Sequence, residues 1–196
     1  MTSRPNPFMA LLPFTRRPAG AAPDDRGRLH AIEALGLLHP VADEVLEDVA
    51  RRAAVWLSLP QAGVSVLFDE ALHFAALHGG PEWLAAARAM PVEWSFCRYA
   101  VAAGAAVVVE DTARDPRTCN NPLVYLDGIR CYAGVPLVTA GGHVVGTLCV
   151  TGTEARAFTA GDLAMLRVLA REVVTRLESR VARPARPTGR PRPRLA

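Results

Sequence analysis

The stretch "IRCYAGVPLVTAGGHVVGTLCVTG", residues 129–152, decides what kind of fold the chain can adopt. Two apolar, β-branched runs flank Ala140-Gly141-Gly142, and such runs around a glycine turn read as a hairpin of strands 129–138 and 143–151. Side chains alternate across a strand, so Cys131, Ala133 and Val135 share one face while Tyr132, Gly134 and Pro136 share the other. The sequence leaves open which of the two sets faces a pocket.

Working outward, "TAGDLAMLRVLAREVVTRLESRVA" is a long amphipathic helix capped by Thr159. On the other side lie a long loop with one helical turn, "TARDPRTCNNPLVYLDG", and a β-branched strand, "AAVVVED". Before them, "SFCRYAVAAG" has the composition of a helix capped by Ser95 and stopped by Gly104, and "PEWLAAARAM" is a shorter helix. "AGVSVLFDEALHFAALHGG" predicts two strands, about 63–68 and 71–77, joined by Asp69-Glu70. Two helices open the order: "RLHAIEALGLLHP", with Leu29, Ile32, Leu35 and Leu38 at helical spacing and Pro40 as its stop, and "ADEVLEDVARRAAVWLSL", with Val45, Val49, Ala53 and Trp56 as one face. This order predicts an α+β fold: a central antiparallel sheet of about five to six strands with helices on both faces.

Of the 196 residues, all 22 basic ones are arginine. Residues 1–28 hold five Arg and two Asp, and residues 183–196 hold five Arg and no acid, which leaves 12 Arg against 17 acids between them. The net charge of +3 therefore belongs to the ends, and the domain itself is acidic. That argues against a specific nucleic-acid face. We read residues 1–27 as a flexible leader, 28–182 as the domain and 183–196 as a disordered Pro/Arg-rich tail. No apolar run approaches a membrane span, and the first twenty residues make a poor secretory segment, so a cytoplasmic protein is expected.

From about Arg28 to Ala182 the chain resembles a GAF domain of the bacterial kind found with cyclases and histidine kinases. The resemblance rests on "SFCRYAV", "VVVEDTARDPR", "NNPLVYLDGIRCYAGVPLVTAGGHVVGTLCV" and "FTAGDLAMLRVLAREVVTRLE", in the family's order. It departs at Thr118, Cys119 and Cys131, where the family more often carries an aromatic, a small or acidic residue, and an aromatic.

The resemblance implies a small-molecule pocket between the sheet and a roof, here the 95–103 helix and the 113–127 loop. The expected ligand-binding residues are Phe96, Cys97, Tyr99, Cys119, Asn121, Leu123, Tyr125, Cys131 and Tyr132. Arg114, Arg117 and Arg130 would border the pocket and draw an anion, unless Glu110, Asp111, Asp115 or Asp127 pair with them. No catalytic set and no metal cluster stands out, and the sequence does not identify the ligand or a cofactor. Covalent bilin attachment is disfavoured, because no Cys-His pair is adjacent.

The function expected is a sensory module without its own output domain, which would inform a separate output protein. Two alternatives remain: a free methionine-(R)-sulfoxide reductase using Cys119 and Cys131, which requires those thiols to meet, and a ligand-free interaction module. On the last helix, Leu163, Leu166, Leu169/Ala170, Val173, Leu177 and Val181 form a stripe, and with Ile32, Leu35 and Leu38 of the first helix it predicts a homodimer through the terminal helices.

Overall fold

The computed structural model of the protein describes residues 25–38 and 42–182. Most of the leader, His39 with Pro40, and the Arg-rich tail lie outside the described residues. Six strands, β1 (Gln61–Leu67), β2 (Ala71–His78), β3 (Ala89–Pro91), β4 (Val107–Val109), β5 (Cys131–Val138) and β6 (Val144–Gly152), form one sheet in the order β3-β2-β1-β6-β5-β4. Every neighbouring pair is antiparallel. The 129–152 hairpin supplies β5 and β6, with β6 beside β1 at the centre, and β3 is a strand where the sequence predicts the end of a helix.

Three helices cover one face: α1 (Asp25–Ala34), α2 (Glu44–Leu57) and α6 (Ala160–Ala182). Their core joins Leu46, Val49, Ala53 and Leu57 of α2 and Leu166, Val173 and Leu177 of α6 to Val64, Ala133, Val135, Leu148 and Val150 of the sheet. The other face carries three short helices, α3 (Glu82–Ala87), α4 (Cys97–Ala103) and α5 (Pro122–Leu126), over a second core of Leu72, Phe74, Leu84, Phe96, Leu123, Tyr132 and Cys149.

Caps fix the back helices. Thr159 Oγ1 accepts from the Asp162 amide at 3.1 Å while the Asp162 carboxylate accepts from the Thr159 amide at 2.9 Å, a reciprocal cap at the start of α6. Asp43 caps α2 by accepting from the Val45 amide at 3.0 Å, and also pairs with Arg176 at 3.0 Å and Arg180 at 3.2 Å on α6. Buried Arg28 of α1 donates to the Leu67 carbonyl and pairs with Asp69 in the turn between β1 and β2. α1 therefore begins inside the segment read as leader and is tied to the domain.

Two readings of helix faces are corrected. Val45 and Trp56 of α2 are exposed, because Leu46, Ala50, Ala54 and Leu57, one position around, give the larger apolar face. The stripe on α6 is consumed within the chain, with Leu166, Leu169, Ala170, Val173 and Leu177 buried and only Val181 of the predicted set left half-exposed.

Register explains the front core. A bulge in β2, opposite Val64/Ser65, lets Phe74 pair across from Ser65 and Leu77 across from Gly63. Phe74 and Leu77, three apart, thus both face the front layer, whereas Ala76 joins the back core.

Candidate functional site

A cleft lies between the front face of the sheet and the roof of α3, α4 and α5. Its floor is built from Gly63 of β1, Phe74 and Leu77 of β2, Tyr132 of β5, and Cys149 and Thr151 of β6. Its walls are Leu84 of α3, Met90, Phe96, Cys97 of α4, Leu123 of α5, Asp127 and Ile129. The space measures about 490 Å³ including its open mouth, but room for the centres of water molecules comes to only about 40 Å³. A single buried water needs on the order of 10–15 Å³ by that measure. The cleft in this conformation is narrow, and anything larger than a few waters has to lift the roof.

Tyr132 is the largest fully buried side chain. Its ring lies back along β5 over Gly134, where a Cβ would stand 2.0 Å from the hydroxyl oxygen, so only glycine leaves it space. Phe96 packs edge-on against it, with centroids 5.6 Å apart. The hydroxyl has no hydrogen-bond partner among the described residues. Burial pushes its pKa well up, and the hydroxyl lies back toward Thr147 and Cys97. Beneath it, Ser65 and Thr147 satisfy each other through a buried hydroxyl pair at 2.8 Å.

Cys97 and Cys149 meet at the cleft, and both are free thiols. Hydrogen bonding with Cys149 lowers the Cys97 pKa against the upward push of burial, and the same bond together with burial pushes Cys149 well up. Cys149 also points its sulfur at the Gly63 carbonyl at 3.5 Å.

The remaining expected residues divide clearly. Phe96, Cys97, Leu123 and Tyr132 line the cleft. Asn121 is a cap: its side chain accepts from the Leu123 amide at 2.9 Å and donates to the Trp94 carbonyl at 2.9 Å, which fixes α5. Tyr99 and Tyr125 brace the roof loop from outside, donating to the carbonyls of Arg117 and Cys119 at 2.7 and 2.5 Å. Cys119 sits in that loop, partly buried.

Cys131 lies on the opposite face of the sheet from the cleft. It shares the face of Ala133 and Val135, and its sulfur packs near Gly152 on the helical side. Desolvation raises its pKa. Cys119 and Cys131 therefore have the sheet between them, and the thiol pair a reductase would need is not formed.

The arginines expected at the pocket are committed elsewhere. Arg130 forks onto Asp111 at 2.9 Å, Arg114 adds to the same carboxylate at 3.4 Å, and Arg117 pairs with Asp115. Burial pushes Asp111 up, but hydrogen bonds from Arg130 and the Ala113 amide outweigh it and hold the carboxyl below its usual range. Sequence reading missed the β1, β2 and α3 contributions to the cleft, and it took Asp127 for a neutralising partner.

A six-stranded antiparallel sheet with a long-helix layer behind and a short-helix roof enclosing a cleft in front is the architecture of small sensory domains. The GAF domain model matches residues 33–177, and the chain belongs to the GAF domain family, a sensory ligand-binding fold. It is 38% identical over 160 residues to a cyclic di-GMP phosphodiesterase of Pseudomonas aeruginosa, a match that takes in 80% of this chain and 26% of that protein. The chain thus spans about a quarter of that relative's length.

Among solved structures it resembles the GAF domain of a phosphoenolpyruvate-protein phosphotransferase from Acinetobacter, with TM-score 0.57 and 13% identity over 82% of this chain and 97% of that one. It also resembles a free methionine-R-sulfoxide reductase from Neisseria meningitidis, with TM-score 0.57 and 21% identity over 83% and 95% of the two chains. At those identities the likeness is one of fold.

Proposed function

We propose that this chain is the small-molecule-binding sensory module of a cytoplasmic signalling system, with the cleft under α3–α5 as its ligand site. The observation that carries the reading is the cleft itself, an enclosure between sheet and roof walled mainly by apolar side chains, with Ser95, Asp127 and Thr151 among its few polar ones. A small-molecule site usually has this make-up, an apolar enclosure with few polar groups. Phe96, Cys97, Leu123 and Tyr132 are the expected ligand contacts, joined by Phe74, Leu84 and Cys149. Because the resting cleft holds only a few waters, occupancy displaces the roof. The floor strands β5 and β6 carry the back core on their other face, so a floor displacement reaches α2 and α6. Occupancy would thereby be passed to a separate output protein through the helical layer, a two-state element biased by ligand contacts.

The test is thermal unfolding of the full chain against a panel of nucleotides, amino acids and tetrapyrroles. A true ligand at a hundredfold excess over its Kd adds about 2.7 kcal/mol and raises Tm. If no compound shifts the transition, the chain acts as a ligand-free interaction module instead. Among the described residues no helix is long and apolar enough to cross a membrane.

The homodimer belongs to the same reading, but its surface differs from the predicted stripe. Arg52 of α2 pairs with Glu172 of α6. One turn along, toward the α2 C-terminus, Val55 and Trp56 are exposed beside exposed Val168. A self-complementary contact of this patch is the expected interface. Light scattering at tens of micromolar should give the mass of a dimer for the native chain and of a monomer for Trp56→Glu; a monomeric native chain rules the dimer out.

A further inference from the structure

Asp127 is the polar feature of the cleft that nothing in the domain explains. It ends α5, and its Oδ1 accepts from the Trp83 indole Nε1 at 3.0 Å. Its Oδ2 is buried and has no partner, although the side chain lines the cleft. No arginine or histidine is among the described residues that line the cleft beside it, and Arg130 and Arg114 are paired with Asp111 and Arg117 with Asp115. An acceptor desolvated in this way is costly unless something donates to it. Trp83, the donor to Oδ1, packs edge to face with Trp94 at 6.4 Å, and neither ring is among the residues that line the cleft.

We propose that the cleft takes a compact, largely apolar organic cation, an amine whose N–H groups donate to Asp127 Oδ2 while its body lies among Phe74, Leu84 and Phe96. This rests on the reading of the cleft as the ligand site. It also disfavours a class: with a carboxylate and no cation among its described lining residues, the cleft should bind phosphates and carboxylates, nucleotides included, poorly.

The experiment is calorimetric titration of the full chain with three probes of one shape: isopentylamine, 3-methylbutan-1-ol and 4-methylpentanoate. The amine should bind about tenfold or more tighter than the alcohol, as a charge-assisted hydrogen bond exceeds a neutral one, and the carboxylate should not bind. Asp127→Asn keeps an acceptor for Trp83 and should bind amine and alcohol alike. Equal binding of amine and alcohol by the unmodified chain overturns the ligand class while leaving the cleft as a site, and needs no variant to fold. A preference for the amine that survives in D127N overturns the role of Asp127. Binding of none of the three overturns this inference, and the ligand site then stands or falls on the broader thermal panel.

Discussion

Gly146→Ala should lose about 3 kcal/mol or more of stability, the upper end of what overpacking costs. Gly146 sits where β6 is paired on both sides, opposite Val66 of β1 and Leu137 of β5. A Cβ there would stand 1.8 Å from the Ser65 carbonyl oxygen and 2.8 Å from its carbon. Both are backbone atoms held in the β1–β6 ladder, so no rotamer change relieves the contact and the strands must separate. Urea unfolding of the variant measures the loss. Gly141→Ala is the matched control: in the β5–β6 turn the nearest atom to a new Cβ is 3.4 Å away, on the His143 ring. That substitution should stay within about 0.5 kcal/mol. Equal midpoints for the two variants would show that β1 and β6 are not packed as described.

Asp43→Ala should cost about 2–3 kcal/mol, from a lost helix cap and a lost buried carboxylate between two arginines. The Asp43 side chain is 3% exposed while Arg176 and Arg180 keep a third of their surface in water. The orphaned arginines can therefore be hydrated, which keeps the loss below that of a fully buried pair. Burial pushes the Asp43 carboxyl up, but hydrogen bonds from Arg176 and the Val45 amide, with the charges of Arg176 and Arg180, bring the net pKa below its usual value. A carboxyl whose folded pKa is depressed stabilises the fold above its unfolded value, near 3.9, and loses that contribution as pH falls through the folded value. The stability difference between native chain and variant should hold from neutrality to about pH 5 and shrink below about pH 4. A difference that is flat down to pH 3 would show that the ion pairs contribute nothing.

The sheet and the long back helix were legible because each repeats a strong local rule. The 129–152 hairpin has two alternating runs around a glycine turn, and α6 has a reciprocal Thr–Asp cap followed by an unbroken stripe. What failed were choices that local rules leave degenerate. Cys131 and Tyr132 are equally apolar neighbours, and only the pairing partner decides that the tyrosine enters the cleft. α2 carries two overlapping stripes one residue apart, and the leucines at 46 and 57 win the core. The bulge in β2 is invisible to a period of two, so the Phe74 and Leu77 wall could not be read. The sequence offered the arginines either an anion or nearby acids as partners, and the structure settles it for the acids: Arg130, 19 residues from Asp111, forks onto it, and Arg117 pairs with Asp115.

The two layers that sandwich the sheet are unequal in how they hold themselves together. α6 runs for 23 residues on its own hydrogen-bond ladder, whereas the roof helices run for 5 to 7. Segments that short have no stability of their own in water and exist only by docking. The roof is therefore expected to open and re-form at a lower free energy than the rear layer. Hydrogen exchange would register it as amides in 82–126 that open at a lower free energy than those of α6.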